Sequence, residues 1–497
     1  MKLQNLFYAL AIVALAIVSC KKESTPDPDG VTLSKTTLSL KVAQIDSIQA
    51  NVTPPEASPV VTWKSSDTTI AKVNARGVIT AVKIGVDTIT ATAQGGKFSA
   101  KAVVNVVPES FTVSGSVSGV WKRGNTYTVS SHINIPKDLS LTIEEGVTVI
   151  FSDTSNHTEV IINGNLYCKG TAQYPIKFTV SENQRTNANI MKGLWGGFIC
   201  SKTCQEVLFT YTTIEYQCAV IKSTSPSVPA GLYKATAGEF DPAIYFSNVT
   251  GKLVVDHCRI SYNQDDVTYL EGGNIIFMYN TFFSSGKNGG DVMNFKSGTT
   301  ADCAFNLVYS GNTNAFKLSN SGNRTPQATI IGYNNTIVNC GWRRPDVKGG
   351  SIWLESGVIA KLYNNLLAND RFGIKNSKGA ADASSVYDYT FYYANSATGL
   401  AQFQSTTTDV VRGAHDVAGT TVGGNDPLFY NFPITTDAQT NYVFDSAWDF
   451  HLKSGSPALT GANTSFTRNF GTTGITINGV TYTSPAPASY FGAFGLK

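Results

Sequence analysis

Asp265 and Asp266 are adjacent carboxylates in a polar stretch that follows a short apolar phrase, and stretches of this kind return along the chain. Later copies carry Lys287, then Asn312 and Asn314, then Arg343 and Arg344, then Asp370 and Arg371. Trp342 stands beside the arginines, with Asp291, Lys296 and Lys348 slightly further on. If a common register brings these turns together, they form one mixed-charge strip that includes an aromatic ring. Such a strip suits an extended glycan, because aromatic faces stack on sugar rings and guanidinium groups pair with carboxylates or sulfates. Trp342, Arg343, Arg344, Lys348 and Arg371 are then the binding set. Cleaving an acidic glycan by elimination needs a base near the sugar C5 proton, for which Lys287 or Arg343 is placed, and a neutraliser for the neighbouring acid group. Calcium held by Asp265, Asp266, Glu271 and Asp291 would be that neutraliser, although no motif demands a cofactor. Hydrolysis needs instead two carboxyl groups ~5 to 9 Å apart across a cleft, and Asp265 with Asp266 is the only adjacent pair in the strip. Turns after strands are polar in any β-protein, so an inert surface would carry similar residues.

The element that must position these side chains is a repeat. Cys258-Arg259-Ile260, Asn280-Thr281-Phe282, Asn306-Leu307-Val308, Asn335-Thr336-Ile337 and Asn365-Leu366-Leu367 begin 22, 26, 29 and 30 residues apart. Thr212-Thr213-Ile214 precedes them in the same pattern. Each phrase sets a small or polar residue before an outward position and then a large apolar one. A unit of this length cannot bury its apolar face alone, but stacked units share one core and continuous hydrogen-bonded sheets. The asparagines at matching positions can then bond one another along the axis, so they are expected to be a structural ladder before anything else. No long stretch after Phe111 has helical periodicity.

Leu139 to Phe151, Ile161 to Thr171 with Pro175 to Thr179, and Leu194 to Ile199 resemble the opening coils of bacterial parallel β-helices. Asn425 to Phe429 and Asp449 to Ala458 resemble the closing segment of such proteins, where the chain caps an otherwise open stack. The resemblance covers most of residues 111–497 and implies a long right-handed parallel β-helix, a fold and not a reaction. Polysaccharide cleavage is a common occupation of that fold.

A smaller domain precedes it. Residues 31–107 hold short alternating strands separated by turn residues, the pattern of a β-sandwich. Val60, Thr62 and Trp63, then Ser65-Ser66-Asp67, Ile70 to Val73, Gly77 to Thr80 and Gly85 to Thr90 resemble the bacterial Ig-like group 2 domain. That resemblance implies a stalk or adhesion module with Trp63 in its core. The fold class is therefore all-β: a small Ig-like sandwich, then a solenoid.

The amino terminus supplies an address. Lys2 precedes the apolar run Leu6 to Val18, which is short for a membrane span and suits a secretory signal over residues 1–19. Ile17-Val18-Ser19-Cys20 resembles the lipobox of bacterial lipoproteins, which implies acylation at Cys20 and a lipid anchor in the membrane. Residues 20–30, rich in charge and proline, read as a solvated tether. Charge just after the lipidated cysteine, with no aspartate directly behind it, resembles surface lipoproteins of Gram-negative bacteria and implies the outer membrane and cell surface.

The remaining cysteines, Cys168, Cys200, Cys204, Cys218, Cys258, Cys303 and Cys340, form no CxxC pair, which argues against zinc and favours small core fillers. One disulfide among Cys200, Cys204 and Cys218 is the alternative in an oxidising compartment. A formal charge of +3 over 497 residues implies no nucleic-acid partner. GxSxG, HExxH, GxxxxGK[ST] and EF-hand motifs are absent. The histidines are scattered: His257 is expected in turn or core packing, and Asp449 with His451 in capping. Two functions fit: a non-catalytic surface protein that binds glycans or neighbouring surfaces, and a polysaccharide lyase or hydrolase.

Overall fold

The computed structural model describes residues 26–57, 60–93, 96–234, 236–287, 289–346, 348–376, 381–403, 409–434 and 440–497. Cys20, with the signal and the lipidation attached to it, lies outside the described residues. The chain divides into two compact units at Pro108.

Unit 1 is the Ig-like sandwich. A four-stranded sheet (Thr37–Lys41, Phe98–Val107, Gly85–Ala93, Val61–Ser65) accompanies a three-stranded one (Ile45–Ser47, Val78–Ala81, Ala71–Val73). Alternation along each strand turns Leu38, Leu40, Ile79, Ile89, Val104 and Val106 inward to one core, against which Trp63 packs. Gly77, at φ +74°, takes a left-handed turn where a Cβ would strike the Ile48 carbonyl and the Trp63 ring. Buried Asp87 accepts bonds from Ser65 Oγ (2.7 Å), Ser66 Oγ (2.6 Å) and Asp67 N (2.9 Å), which explains the Ser65-Ser66-Asp67 phrase.

Unit 2 is a parallel β-helix with the right-handed coiling that parallel crossovers favour. Three sheets run its length. Sheet A is ten-stranded and includes Lys252–Asp256, Gly273–Met278, Thr299–Ala304 and Thr329–Tyr333. Sheet B includes Arg259–Ser261, Thr281–Ser285, Leu307–Gly311, Thr336–Val338 and Leu366–Ala368, all in parallel register. Sheet C includes Ile244–Phe246, Thr268–Leu270, Met293–Phe295, Asn314–Ser319, Gly350–Glu355 and Ile374–Asn376. Leu, Ile, Val and Phe side chains from all three fill a dry axial core. The seven described cysteines are buried and free, as fillers rather than disulfides.

The asparagine ladder forms at the A-to-B turn. Asn280 Nδ2 donates to Asn306 Oδ1 (2.9 Å), Asn306 Nδ2 to Asn335 Oδ1 (3.0 Å), and Asn335 Nδ2 to Asn365 Oδ1 (2.9 Å). The second proton of each amide goes to a carbonyl one coil back, from Val255 through Phe277 and Cys303 to Gly332. The residues before them (His257, Tyr279, Phe305, Asn334, Asn364) are left-handed, φ +49° to +57°, which makes the tight corner. His257 belongs to an external stack there, between Tyr211 and Tyr279 at 4.6 and 4.8 Å.

The closing segment departs from expectation. Rather than only sealing the end of the stack, it runs back along the outside of the solenoid. Phe429, Phe432, Phe450 and Phe491 cover sheet B from Phe283 to Phe391, and Phe470, Ile475 and Ile477 cover sheet A as far as Tyr167. The outward faces of both sheets carry large apolar side chains that need such cover. Asp302 fastens the strap by accepting Phe470 N (2.8 Å) and Ser484 Oγ (2.6 Å).

Replacing Asn335 by alanine takes the shared acceptor from Asn306 N and Nδ2 and removes the donor to Cys303 O and Asn365 Oδ1, all in a buried interior. That should cost about 3 kcal/mol or more, read as a fall in the thermal midpoint of unit 2. A change below about 0.5 kcal/mol would show that the ladder does not hold the register.

Candidate functional site

Sheet C is the face that the strap leaves open. Its outward positions form one row, Tyr269, Asn294, Lys317, Trp353 and Lys375, each paired in register with the next. Beside this row the B-to-C turns rise as a bank. Together they enclose a half-open cleft of about 440 Å3, lined by Asp291, Asn314, Lys317, Arg344, Lys348, Trp353 and Glu355 among others.

The bank is knit by carboxylates. Asp266 Oδ1 accepts the Asp291 amide at 2.6 Å, and Asp266 Oδ2 accepts Asn294 Nδ2 at 3.0 Å. Asp291 Oδ1 accepts Asn314 Nδ2 at 2.7 Å, while Lys317 Nζ lies 3.6 Å from Asp291 and 3.9 Å from Glu355. Burial, then the Asp291 and Asp265 charges, lifts Asp266 to about 7. Asp265 rises to about 6 through burial, against the pull of Lys234. Burial also opposes the charge on Lys317, but Asp291 and Glu355 outweigh it and the lysine titrates higher than usual.

Lys296 is different. It is 6% exposed, its ammonium lies 5.2 Å from the Tyr269 ring centroid, and burial followed by repulsion from Lys317 lowers its pKa. No hydrogen bond or ion pair ties its Nζ to another described residue. A desolvated amine of this kind holds its proton less tightly than an ordinary lysine, which suits a proton-transfer role.

The turns do stack, but their unequal lengths separate the residues expected to share one strip. Asp266, Asp291 and Asn314 occupy matching positions, and Asp265, Arg344 and Lys348 converge beside them. Arg344 Nη1 donates to Thr313 Oγ1 at 2.7 Å and its Nε to Asp346 Oδ1 at 2.7 Å. Lys348, 68% exposed, lies 3.4 Å from Asp346.

Arg343 turns inward. Its guanidinium donates to the carbonyls of Gly286 (2.7 Å), Ser285 (2.8 Å) and Ser310 (2.7 Å), and burial lowers it to about 10. It straps three turns together and leaves no donor for a ligand or proton for catalysis. Trp342 donates to the Asn369 carbonyl and lies under the Arg371 guanidinium, 5.6 Å from its ring. Arg371 donates to the carbonyls of Gly341 (3.2 Å) and Arg344 (3.3 Å). Asp370 is fully buried, accepts the Cys340 amide at 2.7 Å, and is pushed far up by burial. Asn312 is buried and donates to Gly289 O at 3.0 Å. Lys287 is exposed on its turn and pairs with none of the three aspartates.

The four-carboxylate calcium set also comes apart. Glu271 points away, accepting Arg324 Nη2 (3.1 Å) and Tyr245 Oη (2.8 Å). Among the described residues no three or more His, Cys, Asp or Glu side chains group as metal ligands. Asp266 and Asp291 instead spend their oxygens on amides.

Lys317, Trp353, Glu355, Asn294 and Tyr269 escaped the sequence reading because they lie on strands, not turns. A signal existed. Ile244-Tyr245-Phe246, Thr268-Tyr269-Leu270, Met293-Asn294-Phe295, Phe316-Lys317-Leu318 and Ile352-Trp353-Leu354 are triplets with the outward residue in the middle.

Residues 28–104 match the family described as bacterial Ig-like domain (group 2), and residues 112–207 match the pectate-lyase like beta helix domain. The chain is 47% identical over 78 residues to an uncharacterised protein of Clostridium acetobutylicum, covering 15% of this chain and 8% of that protein. It is 41% identical over 91 residues to a lacto-N-biosidase of Bifidobacterium bifidum, 17% of this chain and 8% of the relative. It is 46% identical over 80 residues to an alpha-L-arabinofuranosidase of Bifidobacterium longum, 16% of this chain and 7% of the relative. The chain thus spans under a tenth of the length of these curated relatives, in stretches about the size of unit 1.

The raised carboxyls give a pH test with a definite sign. Their neutral forms stabilise the fold below the ordinary carboxylate range, and that contribution is lost as pH rises through about 6 and 7. Asp266→Asn should therefore gain in thermal midpoint relative to the native protein between about pH 5 and about pH 8. A difference that stays constant over that range would contradict the assignment.

Proposed function

We propose that the protein captures an acidic polysaccharide, laid along sheet C, at the bacterial cell surface. The observation that carries this reading is the convergence of Trp353, Lys317, Arg344 and Lys348 in one cleft on the face the chain leaves uncovered. The indole offers a face for a sugar ring, and the three cations suit carboxylate or sulfate groups spaced along a polymer. The pectate-lyase like family of the opening coils supports a glycan ligand, as do the glycosidase names of two relatives. Acyl chains on Cys20 would hold the protein in the outer membrane, with residues 20–30 as the tether and the Ig-like domain between tether and solenoid in the chain.

Lys296 favours a second reading, cleavage by β-elimination. Its amine is the base, taking the C5 proton, while Lys317 and Arg344 neutralise the adjacent uronate group without calcium. Asp266, lifted to about 7 chiefly by burial, is the acid that returns a proton to the leaving oxygen.

A panel of a polyuronate, a sulfated glycan and a neutral glucan separates these readings. Capture predicts retention of the acidic polymers alone, weakened by salt. Trp353→Ala and Lys317→Ala should each weaken binding about tenfold, or ~1.4 kcal/mol. Equal retention of the neutral glucan, or retention of none, would overturn the proposal. A new unsaturated-uronate absorbance, abolished by Lys296→Met, would establish the lyase.

A further inference from the structure

One B-to-C connection is far longer than its neighbours. Residues 216–243 join the strands Thr212–Glu215 and Ile244–Phe246, where the next coil needs only 262–267. This insertion folds over the first coils of sheet C. Leu232 joins Ile161, Ile199 and Tyr245 in a buried cluster, so these outward positions are closed to any ligand. The Tyr233 ring stands edge-on to Tyr245 and Tyr269, with centroids 5.5 and 4.9 Å away.

The wall is fastened at its base. Ser227 donates from N (2.9 Å) and Oγ (2.7 Å) to the two oxygens of Glu159. His157 Nδ1 lies 2.7 Å from the Val220 carbonyl, and Cys218 N donates to Gly196 O at 2.7 Å. Asp241, at the insertion's end, is 1% exposed, and burial followed by the Glu159 charge pushes its carboxyl well above the usual carboxylate range. No basic side chain pairs with either acid among the described residues.

The row left free of the insertion therefore starts at Tyr269 and runs past Asn294, itself only 2% exposed, and Lys317 to Trp353 and Lys375, four coil steps or ~19 Å at the strand spacing. It ends against Tyr233 on one side and is reached from solvent at Lys348 and Trp353. Charge along it is mixed: Asp265 and Asp266 lie within electrostatic reach of Tyr233, with Lys234 on the wall and Lys296 over Tyr269, while Lys317, Arg344 and Lys348 line the cleft.

We infer that the groove receives the terminus of a polysaccharide chain, with the terminal sugar against the Tyr233 wall, rather than an internal stretch of the polymer. This rests on the capture reading and adds the kind of segment captured. A terminal sugar carries a hydroxyl where an internal one has an ether oxygen. That hydroxyl can donate to a carboxyl oxygen of Asp265 or Asp266, which an ionised acid group, having no proton, cannot do. The acid groups of the following sugars then fall beside the cations. An internal stretch would have to pass through Leu232 and Tyr233.

The test uses the native full chain with one polyuronate, supplied as long chains and as short oligomers. Affinity should follow the molar concentration of chain ends at both lengths, and light scattering should find no more than one protein per end of a given type. Leu232→Ala with Tyr233→Ala, which lowers the wall, should add protein molecules along long chains. Many native molecules on each long chain, or affinity that follows polymer mass, would overturn end recognition and leave capture standing. Retention of no polyuronate of either length would overturn both.

Discussion

The asparagine ladder at the A-to-B turn is the interaction on which the rest of unit 2 depends. A solenoid of unequal coils has no intrinsic register, because its connections range from a few residues to the long insertion at 216–243. Strand pairing alone tolerates slippage, and a one-residue slip would turn each outward side chain into the core. Asn280, Asn306, Asn335 and Asn365 remove that freedom. Each offers one carbonyl and two protons to fixed neighbours in a dry interior, where an unmade bond costs more than a made one contributes. Length variation is thereby confined to the turns, while Tyr269, Asn294, Lys317 and Trp353 stay in one row.

The site follows from how the three outer faces are covered. Sheets A and B carry apolar outward residues and are sealed by the chain's own carboxy-terminal strap. Sheet C carries tyrosine, asparagine, lysine and tryptophan outward, and after its first coils nothing described lies on it. The arginines divide between the two tasks: Arg343 donates inward to carbonyls and stiffens the bank, whereas Arg344 stays at the cleft with Asp346 and Thr313. Asp370 and Trp342 likewise serve the bank's structure rather than its surface.

Much of the architecture was legible because it is written as repetition. The Asn-x-apolar phrase repeats at a spacing only a solenoid explains, and the Ig-like phrases tie Trp63, Gly77 and Asp87 to one compact core. The site was legible in part. Turn residues such as Asp265, Asp266, Arg344 and Lys348 stand out as polar after an apolar phrase. Side-chain direction does not, so Arg343 and Trp342 looked as exposed as their neighbours. Lys317 and Trp353 were hidden because a lysine or tryptophan between two apolar residues reads as a strand before it reads as a site. Whether Glu271 faces Asp266 or Arg324 depends on coil-to-coil twist, which no spacing in the sequence encodes.

A crystal structure of the protein with a bound acidic oligosaccharide tests the central claim most directly. The account predicts a sugar ring over Trp353, an acid group between Lys317 and Arg344, and the terminal sugar against Tyr233. An oligosaccharide seated away from sheet C, on the strap or on unit 1, would contradict it.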